Sequence, residues 1–393
     1  MSAVPGLPEP PEGPRLWDVL ESAAAAAGLE SAENRLGLPA SRRVVVALVD
    51  GMGMTVLKRW KAHAPFLTSS AEQRRRLSTT FPSTTATALT SFGTGQPPGQ
   101  HGILGYDLLA PDHPRGPRVV NHLGKWDPEL VPEEWQPVPT VFERLDAAGI
   151  PAVTVSQKRF GDSGLTRAGL RGGQFVGANS QDERVTRAVE ALSRHSHAVV
   201  YAYWNELDKA GHEHGMDSAE YARALEDVDF ALKRLVAQAP EDTLVLVTAD
   251  HGMLDVSEPK RFDYAEHPEL TEAFAFTAGE PRMVHLYWRE DAGEDERRAA
   301  LEAWRTYTDR SAVVMEKDDA VAAGWFGAVA ERNSARIGDV IVAATAPVAY
   351  FDGRRVGAKA FEMVGQHGSL TPEELAIPLF VLPSGGGASR RRR

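Results

Sequence analysis

Short, continuous apolar segments recur along the chain. Four of them read VVVALVD (44–50), PAVTVS (151–156), HAVVYAYW (197–204) and DTLVLVTAD (242–250). Apolar runs of this length suit parallel strands that are buried on both faces. Stretches of helical character, such as TVFERLDAAG and SAEYARALEDVDFALKRLVAQ, lie between them. This alternation of strands and helices predicts an α/β fold with a three-layer core and a mainly parallel sheet.

Changes in composition along the chain predict how it divides into domains. Residues 256–355 are richer in charge and contain the short strand candidates MVHLYW and VIVAATA, so we expect an inserted α+β cap there. The core is then predicted to span 41–255 and 356–383, with IPLFVL as its last strand. Residues 1–40 are expected to form a Pro- and Gly-rich arm followed by the helix LWDVLESAAAAAGLE. Residues 384–393, SGGGASRRRR, are expected to form a flexible basic tail.

Composition and charge argue against several classes of protein. The net charge of -11 disfavours a general nucleic-acid binder, which normally presents a basic surface. The chain contains no cysteine, so disulfides and thiolate metal ligands are impossible. No apolar run approaches the roughly 20 residues that cross a bilayer, and the first residues lack a basic segment followed by an apolar one. We therefore expect a cytoplasmic protein without a nucleic-acid or membrane partner.

Three aspartates fall at or just after the ends of predicted strands. Asp50 ends VVVALVD, Asp250 ends DTLVLVTAD with His251 directly behind it, and Asp208 follows HAVVYAYW with His212 four residues later. Side chains four apart on a helix share one face, and ligands of parallel α/β sheets bind at the carboxyl ends of the strands. An aspartate at a strand end is commonly only a turn former or a helix cap. Several carboxylates crowded at one edge carry a heavy electrostatic cost, however, which divalent cations would offset.

The residue types available restrict the metal and point to further ligands. Carboxylate and imidazole without thiolate suit zinc, manganese or iron. Each ion takes about four ligands, so two ions need more than the five side chains above. His367, in GQHGS, is one candidate. The hydroxyl-rich stretch FPSTTATALTSFGTG (81–95) offers another, although helix capping is the commoner use of its residues.

The order of these motifs resembles that of a known superfamily. VDG, FPSTT, DKAGH, ADHG and GQHGS follow one another as in the alkaline phosphatase superfamily, and the chain is most similar to its nucleotide pyrophosphatase/phosphodiesterase branch. The resemblance covers about 43–255 and 360–382. It implies an alkaline-phosphatase-like core that holds two divalent metal ions, zinc first, with manganese or iron as alternatives.

The resemblance also implies roles for individual residues. The implied metal ligands are Asp208, His212 and His367 for one ion and Asp50, Asp250, His251 and Thr85 for the other. Thr85 is the fourth residue of a Pro-Ser/Thr-x-Thr stretch and is the implied nucleophile. A threonine hydroxyl barely ionises near neutral pH, so its alkoxide needs a cation for stabilisation.

The activity implied by the resemblance is hydrolysis of phosphodiester or pyrophosphate bonds through a covalent phosphoryl- or nucleotidyl-threonine. The substrate would be a small phosphorylated molecule, with nucleotides among the candidates. One position departs from the family pattern, because Ala88 stands where better-known members carry an asparagine that helps to hold a phosphate oxygen. A phosphomonoesterase or a phosphonoacetate-type hydrolase with the same site therefore stays open, as does a homologue without turnover. The sequence specifies neither the physiological substrate nor the oligomeric state.

Overall fold

The computed structural model of the chain describes residues 6–70 and 74–383. Its strands are β1 Arg43–Val49, β2 Arg74–Ser78, β3 Asp107–Ala110, β4 Arg118–Asn121, β5 Ala152–Ser156, β6 Gln174–Gly177, β7 Ala198–Trp204, β8 Thr243–Thr248, β9 Leu254–Asp255, β10 Arg261–Asp263, β11 Phe274–Glu280, β12 Met283–Trp288, β13 Ala312–Glu316, β14 Val340–Ala344, β15 Ala349–Phe351, β16 Gly365–Gln366 and β17 Ala376–Pro383. Its α-helices are α1 Trp17–Ala26, α2 Met54–Arg59, α3 Pro65–Ser69, α4 Thr85–Thr94, α5 Pro98–His101, α6 Pro132–Trp135, α7 Val141–Ala147, α8 Gly164–Gly169, α9 Gln181–Arg194, α10 Glu206–His214, α11 Ala219–Gln238, α12 Glu294–Thr308, α13 Lys317–Ala322, α14 Glu331–Ser334, α15 Ala358–Glu362 and α16 Pro372–Leu375. The start of the predicted arm (1–5) and the predicted basic tail (384–393) lie outside the described residues.

A seven-stranded sheet forms the centre of the fold, in the order β2–β17–β8–β1–β7–β5–β6. Strand β1 lies between β7 and β8 and runs parallel to both. Every residue of β7 and β8 is buried, because helices cover both faces of the sheet. Strand β17 runs antiparallel to β8 and β2, so the sheet is mixed but mostly parallel. The predicted three-layer α/β fold is confirmed, and each of the four apolar segments contains one strand.

A smaller antiparallel sheet lies within residues 256–355, with the strand order β11–β12–β14–β13. It has an apolar cluster of its own, in which Trp304 of α12 packs with Leu286 and Tyr350. The predicted strands MVHLYW and VIVAATA correspond to β12 and β14 of this sheet. The small second sheet is therefore confirmed, whereas the boundaries between core, cap and arm stay a prediction. Across residues 6–70 and 74–383, no helix combines the length and the apolar character that a membrane crossing requires.

The hydroxyl-rich stretch forms helix α4, all of which is buried. The helix begins at Thr85 behind an extended residue, Thr84, and ends at Gly95, whose φ of 67° terminates it in the left-handed conformation. Two threonine hydroxyls bond back to the preceding turn, since Thr90 donates to the Ala86 carbonyl at 2.8 Å and Thr94 to the Thr90 carbonyl at 2.7 Å. Internal bonds of this kind satisfy buried hydroxyls within a helix. The fold therefore places Thr85 at the first turn of a fully packed helix.

The close approach of α4 to α8 predicts the effect of one substitution. A Cβ atom at Gly93 would lie 1.9 Å from the Gly169 carbonyl oxygen and 2.9 Å from a Leu170 methyl carbon. We expect Gly93→Ala to lower the free energy of unfolding by about 1–3 kcal/mol, since backbone must move to admit the methyl group. Gly124→Ala is the matched control, because its nearest neighbour, Asn121 Oδ1, is 3.6 Å away. Urea denaturation measures both, and equal midpoints for the two variants would contradict the proposed packing.

Candidate active site

The seven residues predicted from the sequence converge at the carboxyl edge of the central strands. Asp50 follows β1, Asp208 lies in α10 behind β7, and Asp250 follows β8. The Nε2 atom of His251 lies 3.4 Å from Asp50 Oδ1 and 3.5 Å from Asp250 Oδ2. On the other side of Asp208, its Oδ2 lies 3.3 Å from His212 Nε2. Thr85 Oγ1 lies 3.1 Å from His251 Nε2, and His367 Nε2 lies 3.2 Å from His212 Nε2 and 3.9 Å from Asp208 Oδ1.

The three histidines share one hydrogen-bonding arrangement. Each contacts a backbone carbonyl oxygen through Nδ1: His212 with Gly365 at 2.7 Å, His251 with Gly252 at 3.0 Å and His367 with Ser83 at 2.9 Å. A carbonyl oxygen only accepts, so Nδ1 carries the hydrogen and Nε2 of the neutral ring presents its lone pair. Burial, reinforced by His251 and His212, lowers the pKa of His367 well below its usual range and so keeps that ring neutral. The Nε2 lone pairs of His212 and His367 then face each other, an arrangement that a cation between them would stabilise.

The three carboxylates each present one oxygen without a partner. Asp50 Oδ1, Asp208 Oδ1 and Asp250 Oδ2 are buried and find no hydrogen-bond donor within the described residues. Their environment penalises the charged form: burial, then Asp208 and Asp250, raises the pKa of Asp50 well above its usual range, and burial raises the pKa of Asp250. Carboxylate oxygens without a hydrogen-bond partner in the described parts of the chain lie opposite imidazole nitrogens that present lone pairs. These are ligand atoms that fit divalent metal ions of the zinc, manganese and iron class. The residues present therefore fit the metal ions that the sequence predicts.

The possible ligands form two overlapping groups. Ligand atoms of Asp208, His212 and His367 lie within 4.8 Å of one another, as do those of Asp50, Asp208 and His251. The first group is the set predicted for one ion. The second group contains Asp208, whereas Asp250 was predicted for that ion. Asp250 is still close, because its Oδ2 lies 3.5 Å from His251 Nε2. Asp208 thus faces both groups, and the assignment of ligands to individual ions stays a prediction.

The position of Thr85 and the contact of its hydroxyl both suit a nucleophile. It is the first residue of the ten-residue helix α4, where backbone N–H groups lack partners within the helix and the helix dipole favours negative charge. Its hydroxyl oxygen contacts His251 Nε2, in the middle of the candidate metal ligands. Three residues further along α4, Ala88 is fully buried and offers only a methyl group. The amide that the resemblance would place at Ala88 is therefore replaced by apolar packing.

Several supporting residues were missed by the sequence analysis. The Tyr203 hydroxyl donates to Asp50 Oδ2, and the Gly51 N–H donates to Asp250 Oδ1 at 3.1 Å. Gly51 has a φ of 72°, and a Cβ atom there would lie 3.1 Å from the Asp208 Cβ. The glycine directly after a strand-end aspartate was a readable signal for this crowding. The contact from Tyr203 had no such signal, because it joins residues on different strands.

A second group of histidine and acidic side chains has the opposite arrangement of ring hydrogens. Possible ligand atoms of His113, Asp127 and Glu129 also lie within 4.8 Å of one another. His113 Nδ1 accepts the Arg115 N–H at 3.1 Å, so the ring hydrogen lies on Nε2 and faces Asp127 Oδ2 at 3.4 Å. Arg115 also pairs with Glu129 at 2.5 Å. Hydrogen bonds and the Arg115–Glu129 ion pair therefore hold this group together. Nε2 of His113 carries a hydrogen and presents no lone pair to a metal ion.

Comparison with solved structures supports the fold. The chain is similar to an inactive murine ectonucleotide pyrophosphatase/phosphodiesterase 5 in complex with AMP, with a TM-score of 0.66 at 16% identity over 86% of this chain and 87% of that one. It is also similar to phosphonoacetate hydrolase from Sinorhizobium meliloti 1021 in complex with phosphonoacetate, with a TM-score of 0.64 at 19% identity over 88% of this chain and 93% of that one.

Individual relatives match only part of the chain, whereas a family profile matches most of it. A phosphopentomutase from Anaeromyxobacter dehalogenans is 32% identical over 136 residues, 34% of this chain. The chain thus spans about a third of the length of that relative, 32%. The sequence profile of type I phosphodiesterases/nucleotide pyrophosphatases matches residues 44–370, most of the chain and all seven candidate site residues. Because this match covers most of the chain, the chain belongs to the type I phosphodiesterase/nucleotide pyrophosphatase family of the alkaline phosphatase superfamily.

Proposed function

We propose that the protein is a two-metal hydrolase that cleaves phosphodiester or pyrophosphate bonds through Thr85. The observation that carries the proposal is the position of the Thr85 hydroxyl, 3.1 Å from His251 Nε2 at the N-terminus of α4. That position puts a nucleophile, a set of metal ligands and free backbone N–H groups at one place. A structurally similar murine phosphodiesterase is described as inactive in a threonine-to-alanine variant that holds AMP, which supports both a threonine nucleophile and a nucleotide substrate.

The proposed cofactors are two divalent metal ions, zinc first, with manganese or iron as alternatives. They would be held by Asp208, His212 and His367 and by Asp50, Asp250, His251 and Thr85. When bound, such ions lower the pKa of a hydroxyl and neutralise developing charge on phosphoryl oxygens. Tyr203 and the Gly51 N–H hold the second oxygens of Asp50 and Asp250, which leaves the free oxygens directed at the site.

The chain's own residues account for the two chemical steps. In the first, the Thr85 hydroxyl loses its proton and Oγ1 attacks phosphorus to form a phosphoryl- or nucleotidyl-threonine, while the bond to the leaving oxygen breaks and that oxygen takes up a proton, so that no net proton is released. In the second, water attacks the same phosphorus, the Thr85 ester breaks and the hydroxyl is restored. The N–H groups of the first turn of α4 hold phosphoryl oxygens through both steps, since they have no partner within the helix.

A second candidate is a phosphomonoesterase or phosphonoacetate-type hydrolase that uses the same site. Two observations favour it. Ala88 lacks the amide that holds a phosphate oxygen in better-known phosphodiesterases, and the structural match to phosphonoacetate hydrolase covers 93% of that protein. We place the diesterase first because the family match covers residues 44–370. The proposed setting remains the cytoplasm, with a small phosphorylated molecule as substrate.

A substrate panel separates these candidates. Zinc-loaded protein is assayed with an aryl ester of a nucleotide, a bis-aryl phosphate, an aryl phosphate monoester and phosphonoacetate. We expect kcat/KM for the better diester to exceed that for the monoester and for phosphonoacetate by at least about 10-fold, a difference that pocket contacts readily supply. Faster turnover of the monoester or of phosphonoacetate would transfer the protein to the second candidate, and no turnover of any substrate would contradict both.

Loss of the nucleophile gives the second prediction. We expect Thr85→Ala to lower kcat at least about 10⁴-fold, the order of effect seen when a catalytic nucleophile is removed. Thr87→Ala is the matched control on the same helix, because the buried Thr87 hydroxyl has no hydrogen-bond partner in the part of the chain that the structure describes. The control should keep the wild-type kcat. A Thr85→Ala protein as active as Thr87→Ala would exclude Thr85 as the nucleophile.

Buried negative charge gives a third prediction, for Asp250→Asn. Asparagine keeps the oxygen that accepts the Gly51 and His251 N–H groups but removes a carboxyl whose raised pKa makes ionisation costly. At pH 8, above the usual pKa of aspartate, we expect the metal-free variant to melt at a higher temperature than metal-free wild type. Each zinc ion at 100 times its Kd should stabilise the folded protein by about 2.7 kcal/mol, so wild type should gain about that much more from zinc than a variant that has lost the ion held by Asp250.

Thermal unfolding with and without zinc tests both halves of that prediction. The matched reference is the Thr87→Ala protein, which should respond to zinc like wild type. An Asp250→Asn variant that gains as much stability from zinc as wild type would show that Asp250 is not a metal ligand.

A further inference from the structure

The geometry points to Arg282 and Glu374 as positioning residues for the metal ligand His367. They fix the segment 367–371, called here the His367 loop, and hold it against Ser83 beside the nucleophile. The inference rests on the proposed function, because it concerns one of the two metal ions.

Arg282 and Glu374 form a fully buried, two-point ion pair. Arg282, in the turn between β11 and β12, donates from Nε to Glu374 Oε1 at 2.7 Å and from Nη2 to Oε2 at 2.8 Å. Its Nη1 also donates to the carbonyls of Ala346 and Val348 at 2.8 and 2.7 Å. Burying two charges costs much of what their attraction returns, so such a pair is weak evidence for stability alone. The fixed geometry of the pair can instead position the residues bonded to it.

The Glu374 carboxylate is also the acceptor for the His367 loop. Its Oε1 accepts the Ser369 N–H at 2.9 Å. Its Oε2 accepts the Thr371 N–H at 3.2 Å and the Thr371 hydroxyl at 2.6 Å. One carboxylate thus fixes two alternate residues of the loop, and Arg282 fixes the carboxylate.

The loop in turn fixes His367 and the entrance to α4. Ser83 Oγ accepts the Gly368 N–H at 3.1 Å and donates to the Ser369 carbonyl at 2.8 Å. The Ser83 N–H donates to the Gly368 carbonyl at 3.2 Å. The Ser83 carbonyl accepts Nδ1–H of His367 at 2.9 Å, the bond that turns His367 Nε2 toward His212. Ser83 lies two residues before Thr85, so ligand and nucleophile share one support.

The smaller sheet closes this network from the other side. Ser369 Oγ donates to the Ala344 carbonyl at 2.7 Å, and the Ala344 N–H donates to the Arg282 carbonyl at 2.9 Å. At Gly368, with a φ of 130°, a Cβ atom would lie 2.6 Å from the carboxyl carbon of Glu280. The loop is therefore bonded to the smaller sheet on this side and to Ser83 on the other. Residues of the predicted cap thus set the position of a metal ligand in the predicted core.

The expected consequence is a site-selective loss of metal affinity. Residues that orient a metal ligand typically contribute 10- to 100-fold to affinity, and we expect about that loss for the ion held by His367. The ion held by His251 should lose less affinity, because His251 Nδ1 is bonded to the Gly252 carbonyl, outside the His367 loop, although the His251 and His367 rings stack with 3.7 Å between their centroids.

Two double variants separate positioning from stability. Arg282→Met with Glu374→Met and Arg282→Met with Glu374→Gln both remove the two charges, so neither leaves an unpaired buried ion. Glutamine keeps an oxygen that can accept the Ser369 N–H, whereas methionine does not. The matched control is Arg144→Met with Glu21→Met, which removes the ion pair joining α7 to α1.

Zinc bound per folded chain is measured at a series of buffered free zinc concentrations, together with the melting temperature. We expect two ions for wild type and for the control pair. For the methionine pair we expect one tight ion and one that binds about 10- to 100-fold more weakly. The glutamine pair should fall between the methionine pair and wild type, because it keeps one acceptor for the His367 loop but has lost Arg282. Adding the methionine pair to His212→Ala should weaken the remaining ion by less than about 10-fold.

The result that overturns the inference is wild-type affinity for both ions in the methionine pair, or equal weakening in the methionine and glutamine pairs. Should the methionine pair fail to fold, Ser83→Ala decides, because it removes the hydroxyl that holds Gly368 and Ser369 and leaves the ion pair intact. Ser83→Ala must then weaken one ion about 10-fold, and unchanged binding would overturn the inference. If the wild-type protein binds no zinc, the proposed function itself is contradicted. That result differs from failure of the inference, in which the wild-type protein binds two ions.

Discussion

Buried carboxylates and imidazole lone pairs meet at one edge of the central sheet, and this concentration of negative charge is the constraint on which the rest of the site depends. The strand order β8–β1–β7 brings Asp250, Asp50 and Asp208 together whatever else the chain does. With no compensating cation, the burial of these groups is costly, as the raised pKa values of Asp50 and Asp250 express. Divalent ions would turn this cost into binding free energy, so folding prepares the site for metal.

The surrounding residues determine which atoms are left for the metal. Carbonyl oxygens accept Nδ1–H from all three histidines, so each Nε2 faces the other side chains of the candidate site. Tyr203 and Gly51 occupy one oxygen of Asp50 and one of Asp250 and leave the other. His113 provides the contrast within the same chain, because a backbone N–H occupies its Nδ1 and the hydrogen on its Nε2 faces the Asp127 carboxylate. Backbone contacts thus distinguish the candidate metal site from an ordinary acidic cluster.

The parts of the structure that follow from local pattern were predictable. Continuous apolar runs identified β1, β7 and β8, and the aspartates at their ends identified the edge where the site lies, since parallel strands share that edge. Residue type made His367 a candidate ligand, and the motif order of the family resemblance then assigned it to one of the two ions.

What the sequence did not reveal consists of contacts between distant residues. The bonds from His367 to Ser83 and from Arg282 to Glu374 join residues 284 and 92 positions apart, and neither follows from any periodicity. The density of threonines in α4 was ambiguous for a related reason. Bonds from Thr90 and Thr94 to the preceding turn explain part of it, and only the tertiary position of Thr85 separates that hydroxyl from the others.

The most direct test of the two-metal account is anomalous diffraction at the zinc absorption edge from crystals grown with zinc. The account predicts two peaks, one about 2.0–2.1 Å from Nε2 of His212 and His367 and one at that distance from Nε2 of His251. The Nδ1 atoms should remain bonded to their carbonyls. Absence of both peaks, or zinc bound through Nδ1 after the rings have turned, would contradict the account.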